Sequence, residues 1–226
     1  MLSDNIKKIN NSIKEACLRS GRKESDITLI AVSKNHSIND IVSAFELGIH
    51  NFGENRAQEL KEKASQLELN LTWHFIGHLQ TNKVKYVMRS AGFIHSIDSL
   101  KLAEEVEKQA INLSREIEVL LEIKTSSEAT KYGLENEKEI FTVAEFCSNS
   151  KHLKFNGLMT IAPFTDNEKL IRESFIELRT LKEKLNNNGF DINHLSMGMT
   201  NDFEIAIDEG ATMLRIGSAI FGERIY

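Results

Sequence analysis

Proline is almost absent from this chain: Pro163 is the only one in 226 residues. No stretch gathers proline, glycine and serine into a linker, so nothing marks a boundary between separately folding parts. Cysteine is equally scarce. Cys17 and Cys147 lack the close spacing of metal ligands, and so few thiols suit a reducing compartment. No apolar run approaches the ~18 residues that would indicate a membrane span. The N-terminus, Met1 to Asn5, is polar, and the pattern behind it is a helix face, not a signal-peptide core. Basic residues (28) are outnumbered by acidic ones (33), and a net charge of −5 leaves no footprint for nucleic acid. The expectation is a cytoplasmic protein whose 41% apolar residues form the core of one domain, residues 1–226.

What is there is a regular alternation. Ile6, Ile9, Ile13, Ala16 and Cys17 recur at helical spacing before Gly21. Ile27 to Val32 follows, an apolar run rich in β-branched residues that reads as a strand buried on both faces. Further strand patterns come at 49–53, 71–76, 92–98, 117–123, 153–161, 194–197 and 212–216, each with a helical pattern behind it. Eight strands alternating with helices predict a single-domain (β/α)₈ TIM barrel with one extra helix at the N-terminus. An open doubly wound sheet is the lesser alternative.

Such a barrel keeps its chemistry where the strands end. Lys34 follows the first strand directly, and an ammonium at the mouth of an apolar strand is partly desolvated, which disfavours its charge. It is a candidate amine nucleophile for a carbonyl; the bland alternative is a solvated strand-end lysine. Two glycine turns follow the last two strands. Gly198-Met199-Thr200 runs into a helix start at Asn201, with Glu204 spaced for a capping box, and Gly217-Ser218 opens a final helical turn. Amides at two neighbouring helix starts, with the Thr200 and Ser218 hydroxyls, predict a phosphate cradle; simple capping is the alternative. A carbonyl site and a phosphate site on one mouth fit pyridoxal 5′-phosphate, or a sugar phosphate handled by an aldolase-like lysine. Arg215 separates the two. A guanidinium against the pyridine nitrogen keeps that nitrogen unprotonated and the ring a poor electron sink, whereas a sugar phosphate gives Arg215 no task. A buried ion pair is the structural alternative for Arg215.

Ala31-Val32-Ser33-Lys34, Phe52-Gly53-Glu54-Asn55, Trp73-His74-Phe75-Ile76-Gly77, Leu79-Gln80-Thr81-Asn82-Lys83, Gly157-Leu158-Met159, Ser196-Met197-Gly198-Met199 and Arg215 to Gly222 stand in order along the chain. In these motifs the sequence closely resembles the pyridoxal 5′-phosphate homeostasis proteins. The resemblance implies a barrel like the N-terminal domain of alanine racemase, with Lys34 as the Schiff-base lysine. It implies that Arg215 faces the pyridine nitrogen, that Gly198, Thr200, Gly217 and Ser218 hold the phosphate, and that Asn55 lies near the ring. Ser196 and Met199, inside the matching motif, complete the expected binding set. The implied role is holding the cofactor and yielding it to apo-enzymes, not turnover; the alternative is a pyridoxal-dependent racemase or lyase. Thr200 stands where the family usually has serine, which keeps the hydroxyl. Lys34 is followed by Asn35-His36-Ser37 and not by a racemase's Tyr-Gly-His-Gly. The racemase second domain has no counterpart after the eighth strand, so a monomer is expected, and Lys34 has no evident proton-transfer partner.

Other groups carry less. His74 and His78 lack a third ligand for a metal. The run Glu59 to Lys63 reads as a solvated helix face, and Lys83 and Lys85 as surface residues. Lys131, three residues after Glu128 as in the family pattern, is a candidate for transient capture of the cofactor.

Overall fold

The computed structural model describes residues 1–126 and 132–222. Lys131 and Glu128 lie outside the described residues. The strands are β1 (Thr28–Val32), β2 (Asn51–Glu54), β3 (Thr72–Phe75), β4 (Ala91–Ile97), β5 (Ile117–Glu122), β6 (Leu153–Met159), β7 (His194–Ser196) and β8 (Met213–Ile216). They form a closed parallel barrel in sequence order, sealed where Thr28 to Ala31 of β1 pair with Met213 to Ile216 of β8. The expected TIM barrel is therefore what the chain adopts.

Helix α1 (Leu2–Arg19) precedes the first strand and buries Ile6, Ile9, Ile13, Ala16 and Cys17, the face its periodicity predicted. The helices of the outer ring are α2 (Ile38–Glu46), α3 (Ala57–Gln66), α4 (Val84–Val87), α5 (Leu100–Asn112), α6 (Glu137–Asn149), α7 (Glu168–Asn187), α8 (Phe203–Asp208) and α9 (Ser218–Phe221). Helix α4 is a single turn behind a 3-10 turn at Thr81–Lys83, because only Val84 and Val87 on it are buried. Polar residues start several helices: Ser37 and Asp40 form a capping box on α2, and Asn136 caps α6 through the amides of Lys138 and Glu139.

Alternation along each strand sends one set of side chains outward under the helices and the other into the barrel. Phe52, Trp73, Phe75, Ile94, Val119, Leu121, Leu158, Leu195 and Leu214 pack into the large outer cluster. The barrel interior is filled by a smaller cluster, Ile30, Leu120, Met159 and Met213, against Phe93 and Ile161. Gly157 lets β7 close on β6, since a Cβ there would lie 2.2 Å from the His194 carbonyl oxygen.

Candidate functional site

A cavity of about 1030 Å³ opens at the C-terminal ends of the strands, lined among others by Lys34, Asn55, Met199, Thr200, Arg215, Gly217 and Ser218. Seven of the nine residues expected from sequence thus meet on one wall set. Ser196 and Gly198 do not line it. Ser196 is fully buried beneath Arg215, and Gly198 forms the turn behind the wall, its φ of 92° and the nearness of Ala206 leaving no room for a side chain. The expected helix start at Asn201 is also corrected. Asp202 is the N-cap residue of α8, and its carboxylate turns back to accept from the Met199 amide at 2.5 Å, so Asn201 and Glu204 form no capping box. Glu204 instead pairs with Arg19 at 2.8 Å.

Lys34 sits in a tight turn, half-buried, with Asn35 behind it in the left-handed region at φ 63°. That backbone is pinned from below. Glu54 points outward from β2 and is wholly buried under α3. Its Oε1 accepts from the Ser33 hydroxyl and from Lys63 Nζ, both at 2.7 Å. The same ammonium donates to the Ser33 carbonyl and to Glu59, also at 2.7 Å, and Glu59 accepts from the Asn35 amide at 2.5 Å. Both neighbours of Lys34 in the chain are therefore held by one buried cation and two carboxylates. Burial pushes the Glu54 carboxyl up despite Lys63 and Ser33. Glu59 is less buried, so the hydrogen bonds from Lys63 and Asn35 outweigh desolvation and hold it low. The reading of Glu59 and Lys63 as a solvated face is overturned: Lys63 is 7% exposed.

Arg215 is reached by a second buried network. Its Nη2 donates to the Thr160 carbonyl at 2.9 Å and its Nη1 to the Ser196 hydroxyl at 2.7 Å. Beyond Ser196 a chain crosses the barrel: His95 Nδ1 lies 2.9 Å from Ser196 Oγ, His95 Nε2 lies 2.9 Å from His74 Nδ1, and His74 Nε2 lies 3.0 Å from Asn51 Oδ1. Burial pushes His74 down to about 3 and His95 well below the ordinary histidine range, so both rings are neutral. With the Asn51 carbonyl oxygen at the far end, only one tautomer set satisfies every member. His74 donates from Nε2 to Asn51, His95 donates from Nε2 to His74, and Ser196 donates to His95. The Ser196 oxygen is left to accept from Arg215. Burial lowers Arg215 to about 10, against the pull of Asp202 and Glu122, and it remains a cation at neutral pH. Among the described residues it forms no ion pair within 4 Å, so the buried-pair alternative is not realised.

On the rim, the strand-end residues His78, Asp98 and Lys124, which carry no role in the sequence reading, meet Tyr132 and Glu135, which that reading did not single out. His78 stacks on Tyr132 at 3.7 Å and lies 3.1 Å from Asp98. Lys124 pairs with Glu135. On the opposite rim, Ser218 Oγ lies 3.1 Å from Thr200 Oγ1, so the two hydroxyls expected at the phosphate cradle are neighbours. Gly77 allows the backbone of Asn55 to come close, as a Cβ there would fall 2.3 Å from the Asn55 carbonyl oxygen. The Asn55 Oδ1 itself is buried without a hydrogen-bond partner. Among the described residues no group of three histidine, cysteine or carboxylate side chains could hold a metal.

The closed parallel barrel falls in a known class, that of the alanine racemase N-terminal domain, whose family matches residues 5–225. An alanine racemase of Clostridium difficile superimposes with a TM-score of 0.80 at 16% identity, across 99% of this chain and 58% of the racemase, which speaks to the fold alone. The similarity is much higher elsewhere. The pyridoxal phosphate homeostasis protein of Aquifex aeolicus is 42% identical over 227 residues, covering 99% of this chain and 98% of the relative. That of Haemophilus influenzae is 39% identical, covering 100% and 97%. PipY of Synechococcus elongatus, solved with PLP bound, has 33% identity and a TM-score of 0.85 over 98% of this chain and all of its own. The chain belongs to the pyridoxal phosphate homeostasis protein family.

Proposed function

We propose that this chain holds pyridoxal 5′-phosphate at the barrel mouth, covalently attached at Lys34, and takes part in keeping and delivering the cofactor inside the cell. The carrying observation is convergence: Lys34, Arg215 and the Thr200–Ser218 hydroxyl pair line one cavity, with the Asn55 Oδ1 buried there and unsatisfied. An orphaned buried acceptor in a cavity that a lysine and a guanidinium also line suits a polar ring ligand. The relatives' names and the PLP-bound PipY structure support the same reading.

Each residue then has a task. The brace of Glu54, Lys63 and Glu59 fixes the turn that presents the Lys34 amine. Thr200, Gly217 and Ser218 would hold the phosphate through hydroxyls and helix-start amides. Bound there, the cofactor supplies an aldehyde that a lysine amine takes up as a Schiff base. Arg215, immobilised by Ser196 and Thr160, would meet the pyridine nitrogen with a fixed positive charge. Such a charge opposes protonation of the ring and with it the carbanion chemistry of pyridoxal enzymes, which favours holding over turnover. The proposal places the protein in the cytoplasm as a monomer, with apo-enzymes as recipients. Among the described residues no helix is long and apolar enough to cross a membrane.

The test is borohydride reduction of the PLP-loaded protein followed by peptide mapping. The adduct is expected on Lys34 and should be lost in Lys34→Ala. Adduct on another lysine, or no uptake, refutes the reading; sustained Cα deuterium exchange of an amino acid in D₂O would move the protein among the racemases.

A further inference from the structure

The groups assigned to the ligand come from β8 and from the loops after β1, β2, β7 and β8. The far side of the mouth carries a carboxyl with no assigned role. Glu122 is the last residue of β5. Leu120, two residues earlier, belongs to the interior cluster, and Glu122 continues that inward face to line the cavity. In a closed ring of eight strands β5 stands across from β1, which sets Glu122 opposite the turn of Lys34. It is only 6% exposed, and its Oε2 is buried with no hydrogen-bond partner. A buried oxygen left without a partner is unfavourable, and a ligand that hydrogen-bonds to it removes that penalty.

We propose that Glu122 is a further cofactor-binding residue: as a neutral carboxylic acid it donates a hydrogen bond to an oxygen of the ligand held at Lys34, so that loading depends on its proton. The inference rests on the Lys34 reading above and deepens it.

The charged groups around Glu122 fall on several elements. Arg215 faces it from β8; Asp98 follows β4 and is itself 3.1 Å from His78, which follows β3. Lys124, just beyond β5, is paired with Glu135. Lys34 and Asp202 line the same cavity from the loops after β1 and β7. Burial, then the charge of Asp98, push the carboxyl up to about 7 against the opposing pull of Arg215. In its neutral form Glu122 is a donor. Ionised, it has no proton to give and repels a ligand that carries a phosphate dianion. Protonation and binding are then linked, and affinity falls as pH rises through the neutral range.

Absorbance titrations of PLP into the wild-type protein and Glu122→Gln, from about pH 6 to about pH 9, test this. The amide is a permanently neutral donor of nearly the same shape. The wild-type affinity should fall relative to the variant's by up to about tenfold per pH unit above neutrality, and the variant's profile should be the flatter one. A second measurement needs no variant: carbon-13 glutamate-edited infrared difference spectra of the wild type near pH 7.5 should gain a neutral carboxyl stretch on loading. Parallel pH profiles, or no gain of that stretch, overturn the assignment of Glu122 alone. Failure of both proteins to take up PLP overturns the Lys34 reading and this inference with it.

Discussion

Replacing Lys63 by methionine asks how much of the site's rigidity comes from its brace. The change keeps the aliphatic stem and most of the volume, so the loss is electrostatic and not a cavity. Lys63 Nζ donates three hydrogen bonds, all 2.7 Å long, to the Ser33 carbonyl, Glu54 and Glu59. Were α3 a solvated face, the Glu59–Lys63 pair would contribute no more than about 0.5 kcal/mol. With Glu54 at 0% exposure and Lys63 at 7%, removing the cation leaves a buried carboxylate uncompensated, which costs about 3–5 kcal/mol. The penalty should depend on pH in a definite direction. Burial already raises the Glu54 carboxyl, and loss of Lys63 removes the group that opposed it, so the variant's Glu54 takes up a proton at higher pH than the wild type's. Neutralised, Glu54 no longer needs the cation, and the destabilisation shrinks as the solution is acidified toward the ordinary carboxylate range. Urea unfolding of both proteins near pH 7.5 and near pH 5 measures both effects, and Lys63→Met with Glu54→Gln should recover more than about 1 kcal/mol over the single variant. A loss below about 1 kcal/mol at neutral pH, or one that does not change with pH, refutes the reasoning.

Two further changes probe the other supports of the site. His95→Phe leaves the His74 Nδ1 and the Ser196 hydroxyl without their partners and should cost about 2–6 kcal/mol in urea unfolding, at about 1–3 per orphaned group; in the unaltered protein, nitrogen-15 spectra should show the His74 and His95 rings untitrated between about pH 5 and about pH 8, and a protonation midpoint in that range would break the relay's proton order. Gly198→Ala meets a φ of 92° and an Ala206 Cβ at 2.6 Å, so it should destabilise by about 2–5 kcal/mol and weaken PLP uptake through the Met199–Thr200 turn; an unchanged unfolding midpoint would show that this turn yields freely.

Much of the barrel could be read from the chain before any coordinates. Strands β1, β5 and β8 are apolar on both faces or nearly so, and helix α1 carries its buried residues at unbroken helical spacing. The seven wall residues were legible for a topological reason: a parallel barrel puts every strand C-terminus on one face, so residues far apart in sequence can be assigned to one mouth. Less legible was anything that depends on a partner from another element. Glu59 and Lys63 sit four apart on a charged helix, a pattern shared with countless exposed faces. What draws Lys63 into the interior is Glu54, delivered beneath α3 from the outward face of β2, and Glu59 pairs with the same ammonium. Asp202 displaced Asn201 as the cap of α8 for a similar reason, since its carboxylate satisfies the Met199 amide in the preceding turn.

The histidine relay shows where alternation stops being informative. Thr72-Trp73-His74-Phe75 reads as a strand with one apolar and one polar face, and the usual inference sends the polar face to water. In a closed barrel the second face has nowhere to go but the interior. His74, His95, Ser196 and Arg215 therefore meet where such barrels ordinarily stack branched apolar side chains. A buried guanidinium needs acceptors, each acceptor needs its own partner, and the demand passes along the layer until Asn51 ends it. The helices on the outside make this tolerable, because the large apolar cluster between strands and helices supplies the burial that the upper interior forgoes. Removing the arginine would leave the Ser196 oxygen and the Thr160 carbonyl without their donor while the Ser196–His95–His74–Asn51 bonds persist, and a fold under no demand for a fixed cation at its mouth could fill that row with aliphatic side chains.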